Sequence, residues 1–273
     1  MEREELIREL TERARCIRVE VVKMCAKAAG HVGGAFSMTE IIAALYFHVL
    51  KVDPKKPDWD GRDYFILSKG HATPALHAAL AMRGFFPMEW LATSKQLGSR
   101  LSGHSSTLVP GIDASTGSMG HGLSVGLGIA LAVKAERASN RVFVLLGDGE
   151  MQEGSNWEAI MAAGHHKTDN LIAIVDRNVF QACGKTEDIL GIEPLERKFE
   201  SFGWTARRIG GHDLTQVLDA LEAVPFVPGS PSAIIADTVK GKGVSFLEGV
   251  NPHFVHLSRQ QEIEALKELG EEV

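Results

Sequence analysis

Two β-branched, nearly all-apolar runs, Arg141-Val142-Phe143-Val144-Leu145-Leu146 and Asn170-Leu171-Ile172-Ala173-Ile174-Val175-Asp176, stand one helix apart and constrain the fold more than any other feature. Runs with no polar face suit strands covered on both sides, as in a parallel sheet between two layers of helices. The first run leads into Gly147-Asp148-Gly149 and the second into Asn178, thirty positions beyond Asp148. Parallel strands open their carboxyl ends on one ligand-binding edge, so the Asp148 carboxylate and the Asn178 amide oxygen can converge there. Hard oxygen donors together with a ligand's phosphates suit Mg²⁺ or Ca²⁺. Gly149 admits phosphates close to the backbone, and a helix starting near Met151 aims its positive end at them. A tight strand-to-helix turn explains Gly-Asp-Gly alone equally well. Asn178, one supersecondary unit later, favours a metal-diphosphate cradle.

The rest of the chain continues the pattern. Leu6, Ile7, Leu10, Ala14, Ile17, Val21 and Met24 recur at helical spacing and predict a long amphipathic first helix that stops near Gly30. Thr39 is positioned to cap a second helix to about Leu50, a Pro- and Asp-rich loop covers 53–61, and Tyr64–Leu67 reads as a strand. Helices are expected over 74–82 and 121–138. Strands at 141–146, 170–175, 204–209 and 232–237 then alternate with helices ending at Ala163 and spanning 194–201 and 214–223. Ser258 and Gln261 have the spacing of a capping box for a final charged helix. The alternation predicts an α/β fold, a doubly wound parallel sheet with helices on both faces, in a single domain over 1–273.

Composition narrows the function classes. A net charge of −6 and a pI near 6.0 argue against general electrostatic binding to nucleic acid or to an anionic membrane. Small anionic ligands therefore need a local cationic or dipolar site. Cys16, Cys25 and Cys183 are few and unpatterned, which fits a reducing cytoplasm better than a disulfide framework or a zinc motif. The charged start, Met1-Glu2-Arg3-Glu4-Glu5, lacks the apolar core of a signal peptide, and the longest apolar stretch, near 41–50, is too short to span a bilayer. A cytoplasmic protein is expected.

The nucleotide-binding decoys fall away. Gly117-Ser118-Met119-Gly120-His121-Gly122 reverses the dinucleotide fingerprint, Gly147-x-Gly149 has Gln152 at the third glycine's place, and Gly184-Lys185-Thr186 lacks the upstream glycine of a P-loop. The first remains a glycine-rich approach to a helix, suited either to close helix packing or to a flat ring or phosphate against backbone. His31, His71, His104 and His256 lie beside turn residues, three of them directly after glycine. Converging on one pocket, they would supply acid-base and electrophilic groups. His253-x-x-His256 and His165-His166 lack a third ligand at zinc spacing.

Taken together, Gly30-His31, Leu67-Ser68-Lys69-Gly70-His71, Ser115-Thr116-Gly117-Ser118-Met119-Gly120, Gly147-Asp148-Gly149-Glu150-x-x-Glu153-Gly154, Asp176-x-Asn178, Gly211-His212-Asp213 and Val239-Lys240-Gly241-Lys242-Gly243 resemble the transketolase family of thiamine diphosphate enzymes. The similarity runs from about Gly30 to His256 and is closest to the N-terminal subunit of a transketolase split into two chains. It implies a thiamine diphosphate-binding fold in which this chain is the diphosphate-binding domain. Asp148, Asn178 and the Phe180 carbonyl would hold Mg²⁺ or Ca²⁺. Gly149 and His71 would contact the diphosphate, Gly117 and Met119 would lie along the thiamine, and His256 would reach cofactor and substrate. His31 and His104 would bind and polarise the ketose carbonyl and hydroxyls. Glu153 and Glu158 match carboxylates near the family's subunit interface, although helix N-terminal charges explain them equally well.

The activity so implied is transfer of a two-carbon ketol unit from a ketose or ketose phosphate to an aldose. The pyrimidine-binding domain, its catalytic glutamate and the family's main phosphate-binding arginines are expected on a separate C-terminal subunit, in an α2β2 heterotetramer. This chain departs from the family at Val32 and Ser105, where proline commonly follows a histidine, at His121, Arg177, Gln181-Ala182-Cys183-Gly184 and at Leu257. The two proline losses predict less rigid loops. Two other readings are a component of a thiamine enzyme acting on a 2-oxo acid and a non-catalytic scaffold subunit.

Overall fold

A computed structural model describes residues 2–251 and 253–272. The helices, in chain order, are α1 (Arg3–Lys27), α2 (Val32–Phe36), α3 (Thr39–Ala44), α4 (Thr73–Arg83), α5 (Gly122–Ala135), α6 (Gly154–His165), α7 (Thr186–Ile189), α8 (Leu195–Ser201), α9 (Leu214–Glu222) and α10 (Arg259–Glu268). The strands are β1 (Tyr64–Leu67), β2 (Val142–Gly147), β3 (Leu171–Arg177), β4 (Phe180–Gln181), β5 (Gly184–Lys185), β6 (Thr205–Gly210) and β7 (Ser232–Asp237). Five strands form one parallel sheet in the order β1-β2-β3-β7-β6, and β4 and β5 make a separate small hairpin.

Side chains alternate across each strand, and here both sets are apolar. Phe65, Phe143, Leu145, Ile172, Ile174 and Ile234 enter one core with residues of α1, α3, α4, α9 and α10. Ile66, Val142, Val144, Leu171, Val175 and Ile235 enter a second core with α5, α6 and α8. Fully burying a Val, Leu or Ile side chain contributes about 1.5–3 kcal/mol, so both helical layers are held firmly to the sheet. The doubly wound α/β architecture expected from the alternation is the one observed.

Several local expectations need correction. Thr39 does not cap its helix: its hydroxyl donates to the Phe36 carbonyl at 3.2 Å, and Met38 holds the cap position. The α3 segment continues as one π-helical turn over Leu45–Val49. The glycine-rich stretch after His31 forms α2 rather than a plain loop. No α-helix begins near Met151; Gly149–Gln152 is a 3₁₀ turn and α6 starts at Gly154. The Glu150 side chain causes this, because it is drawn back to accept from the Gly147 N–H at 3.0 Å and the Gly120 N–H at 2.9 Å. At the C-terminal helix, the Ser258 and Gln261 capping box forms with both of its bonds.

Close approach replaces a side chain where α6 meets the loop before β6. A Cβ added to Gly164 would overlap the Phe202 carbonyl oxygen, which is backbone and cannot rotate away. Gly164→Ala is expected to cost about 1–3 kcal/mol, the usual range for overpacking, read as a lowered denaturation midpoint with an unchanged m-value. An unchanged midpoint would show that α6 shifts freely. Among the described residues, no helix is long and apolar enough to cross a membrane.

Candidate active site

Gly147 of β2 pairs in register with Asp176 of β3, so Asp148 and Asn178 leave the sheet at the same carboxyl edge. Both line one cavity of about 440 Å³. The Asp148 carboxylate accepts from the Gly149 N–H at 2.7 Å and the Val179 N–H at 2.7 Å, and pairs with Arg177 at 2.8 Å. Asn178 turns its amide oxygen toward the Phe180 N–H at 3.2 Å and donates through Nδ2 to Asp176 at 3.1 Å. Between them Val179 takes a φ of 65°, a left-handed conformation that β-branched residues rarely adopt. Such strain persists where surrounding bonds over-determine it, and it folds Asn178 and Phe180 back over Asp148.

Beneath this edge lies a buried charge pair. Lys69, following β1, is ion-paired to Asp176, and the two side chains are 1% and 0% exposed. Ser37, Thr238 and Asn178 also donate to Asp176, while Lys69 donates to the Gly34 carbonyl at 2.8 Å. These donors hold the Asp176 carboxyl below its ordinary range against the opposing effect of burial. Burial pushes the Glu150 carboxyl up, while bonds from Ser68, Gly147 and Gly120 oppose that shift. Glu150 thus ties three loops of the cavity wall together.

The opposite wall is made of imidazoles. The His31 ring centroid lies 5.1 Å from His71, 6.2 Å from His104 and 5.0 Å from His253. A Cβ on Gly117 would come within 3.1 Å of the His104 ring, so that ring lies against the glycine-rich approach to α5. Met119 lines the same cavity. Gly70 is fixed by a still closer approach, since a Cβ there would meet the Thr116 carbonyl carbon at 2.7 Å. Burial lowers the pKa of His31 to about 4 and that of His71 well below its ordinary value. Both are neutral at neutral pH, hydrogen-bonding groups rather than cations. Among the described residues the His31 Nδ1 is buried without a partner, a polar atom left for a ligand.

The family's sequence profile, described as "Transketolase, thiamine diphosphate binding domain", matches residues 8–271. The chain belongs to the transketolase family. Among its relatives, a 6-deoxy-6-sulfo-D-fructose transketolase subunit of Clostridium sp. (strain MSTE9) is 43% identical over 267 residues, 97% of either chain. One of the subunits of the apulose-4-phosphate transketolase of Phocaeicola vulgatus is 41% identical over 259 residues, covering 94% of this chain and 92% of the relative. Among solved structures, transketolase from Leishmania mexicana superposes with a TM-score of 0.89 at 29% identity. That match covers 96% of this chain and 41% of the other, so this chain spans well under half of the single-chain enzyme.

Within this transketolase-family fold, His31, His71, His104, Gly117, Met119, Asp148, Gly149, Asn178 and Phe180 all line the one cavity. His256 does not. It is exposed, and its Nε2 lies 2.9 Å from the Ala26 carbonyl. His253 takes the inward place, because Val255 forms a two-bond bridge with Gly30 and thereby fixes which side of the segment faces the cavity. Gly149 also has a packing reason beyond phosphate access: a Cβ there would meet Gln181 Cβ at 2.7 Å.

Lys240 belongs to a family-like motif, yet nothing in its sequence context assigns it a role. It lines the cavity and donates to Asn251 at 2.8 Å, and burial beside Lys69 lowers its pKa to about 8. It places a cation on the cavity wall of a chain of net charge −6. Asn251 in turn donates to the Gln181 and Ala182 carbonyls at 3.0 and 3.2 Å, so the segment around Asn251 straps across to the β4–β5 hairpin. Ser105, where the family commonly has proline, is anchored by a 3.1 Å bond to Thr73 and a 3.1 Å bond from the Thr116 N–H to its carbonyl. Side-chain and backbone bonds restrain that loop in proline's place.

Proposed function

We propose that this chain is the diphosphate-binding subunit of a two-chain transketolase, transferring a two-carbon ketol unit from a ketose or ketose phosphate to an aldose. The observation that carries the reading is the match to proteins named as transketolase subunits, at 43% and 41% identity over 97% and 92% of their length. Its partner is a C-terminal subunit supplying the pyrimidine-binding domain and the catalytic glutamate, in an α2β2 assembly in the cytoplasm.

Thiamine diphosphate, when bound, supplies the carbanion chemistry that breaks and remakes the carbon–carbon bond. The residues present fit it. Lys240 and the His71 imidazole would hold its diphosphate, Gly117 and Met119 would lie along the ring system, and His31 and His104 would bind and polarise the ketose carbonyl and hydroxyls. Asp148, Asn178 and the Phe180 carbonyl would hold the divalent cation, Mg²⁺ or Ca²⁺. Among the described residues no three His, Cys, Asp or Glu side chains gather to hold a metal. A cation therefore depends on one carboxylate, neutral oxygens and the ligand's phosphates, a donor set for a hard ion. His253 takes over the cofactor contact assigned to His256 from sequence.

The test is the activity of the purified chain with thiamine diphosphate and Mg²⁺, with and without the C-terminal subunit. With the glutamate, a general acid-base group, assigned to the partner, the chain alone is expected to fall about 10²- to 10⁴-fold below the complex. Full turnover by the chain alone would sink the two-chain reading. Depletion of a 2-oxo acid rather than a ketose by the complex would move it to the other thiamine enzymes.

A further inference from the structure

We propose that Arg177 makes the cofactor's cation site selective for Mg²⁺ over Ca²⁺, by claiming one oxygen of Asp148 and leaving the cation only the other. The inference deepens the thiamine diphosphate reading and rests on it.

Successive residues of a strand face opposite sides of the sheet, and the end of β3 uses both. Asp176 turns to Lys69, whereas Arg177 turns toward α7 and the start of α8, where its side chain is 6% exposed. Each of its three nitrogens takes a different carboxylate: Nη1 donates to Asp148 at 2.8 Å, Nη2 to Glu187 at 3.1 Å and Nε to Glu193 at 2.9 Å. Glu193 is itself held, since it accepts from the Leu195 N–H at 2.9 Å and pairs with Arg208 at 2.7 Å. A guanidinium is a rigid planar fork, so two carboxylates that fix two of its nitrogens aim the third. The third is aimed at Asp148.

The consequence falls on the Asp148 carboxylate. An ionised carboxylate has about four lone-pair sites, two on each oxygen. Oδ2 accepts from Arg177 and from the Val179 N–H at 2.7 Å, while Oδ1 accepts from the Gly149 N–H at 2.7 Å. Among the described residues this fills Oδ2 and leaves one site, on Oδ1. Asp148 can therefore serve a cation through a single oxygen. Ca²⁺ takes many oxygens in a flexible shell and readily grips a carboxylate by both of them, whereas Mg²⁺ demands a small, near-ideal octahedron that a two-oxygen grip fits poorly. A carboxylate reduced to one oxygen withholds a ligand that Ca²⁺ can use and Mg²⁺ does not need. Arg177 does not line the cavity itself and acts through Asp148, as a positioning residue.

The competing role is a pin that ties Glu187 and Glu193 to the sheet. A pin, or the mere positive charge of Arg177, changes the binding of both cations alike, so their ratio reads the positioning role alone. The experiment titrates the assembled two-chain protein calorimetrically with Mg²⁺ and with Ca²⁺ at saturating thiamine diphosphate, for wild type, Arg177→Met, Arg177→Lys and Glu193→Gln, with a urea midpoint for each. Groups that orient a metal ligand typically change metal affinity about 10- to 100-fold when removed. Arg177→Met should lower the ratio of Mg²⁺ to Ca²⁺ affinity by about that factor. Arg177→Lys, which keeps a charged donor, should restore part of the preference. Glu193→Gln loosens the fork without removing it and should shift the ratio in the same direction by less, which keeps the inference open to refutation even where Arg177→Met fails to fold. An equal change for both cations, or a lowered urea midpoint at an unshifted ratio, overturns the inference and leaves the pin. If the wild-type complex binds neither cation with thiamine diphosphate, the cofactor reading fails and this inference falls with it. Normal wild-type binding with the same ratio in every variant removes the Arg177 inference alone.

Discussion

Asp148→Ala, in the assembled two-chain protein, is expected to weaken thiamine diphosphate binding in the presence of Mg²⁺ by more than about 100-fold. Losing a group that only orients a metal ligand typically costs about 10- to 100-fold in affinity, and Asp148 is assigned as a ligand itself. Its side chain is 1% exposed, so no other carboxylate can drift into its place without opening the cavity wall. The variant should still fold, because Arg177 keeps Glu187 at 3.1 Å and Glu193 at 2.9 Å and is not abandoned as a lone buried charge. Calorimetric titration with cofactor and Mg²⁺ reads the loss directly. Asp148→Asn retains shape and an oxygen donor but not the charge, and should fall between wild type and alanine. Equal affinity in wild type and Asp148→Ala would remove Asp148 from the cofactor site. No binding even by the wild-type complex would favour the scaffold reading.

Lys69→Met should destabilise the chain by about 3–5 kcal/mol, the range for breaking a buried ion pair from one side. The cause is not the lost attraction alone. Asp176 is 0% exposed, and without Lys69 its charge has, among the described residues, the hydroxyls of Ser37 and Thr238 and the Asn178 amide for compensation. Removing both charges, as in Lys69→Met with Asp176→Leu, should recover part of the loss, since an apolar pair of similar volume can replace a buried ion pair at little cost. Urea unfolding of the three variants under one set of conditions measures it. A Lys69→Met shift within about 0.5 kcal/mol, the level of ordinary surface substitutions, would mean that water reaches Asp176.

Much of the fold was legible because its signals are local. The runs at 141–146 and 170–175 are apolar on every residue that a sheet covered on both faces buries, so their pattern points to the architecture without knowledge of any contact. Ser258 with Gln261 announces a helix start through side chains that bond their own neighbours. The displaced start of α6 has the opposite origin. Nothing in Gly149-Glu150-Met151-Gln152 forbids a helix; the obstacle is the Glu150 carboxylate, committed to Gly120 and Ser68 far along the chain. The hairpin of β4 and β5 was equally invisible, since two-residue strands carry no periodicity.

The site divides the same way. The sequence by itself determined that Asp148 and Asn178 share a sheet edge, because parallel strands and their register leave the loops after β2 and β3 nowhere else to open. It also singled out His31, His71 and His104 through their glycine neighbours. Only the tertiary structure decided between His253 and His256, three residues apart in an irregular segment whose facing is set by the bridge between Val255 and Gly30. Only it revealed that Lys69 neutralises Asp176, that Lys240 faces the cavity, and that Arg177 pairs with Asp148. The physical reason is common to all four. Strand pairing is dictated by patterns within a few residues, whereas which way a side chain turns, and which charge it meets, depends on segments brought together from distant parts of the chain.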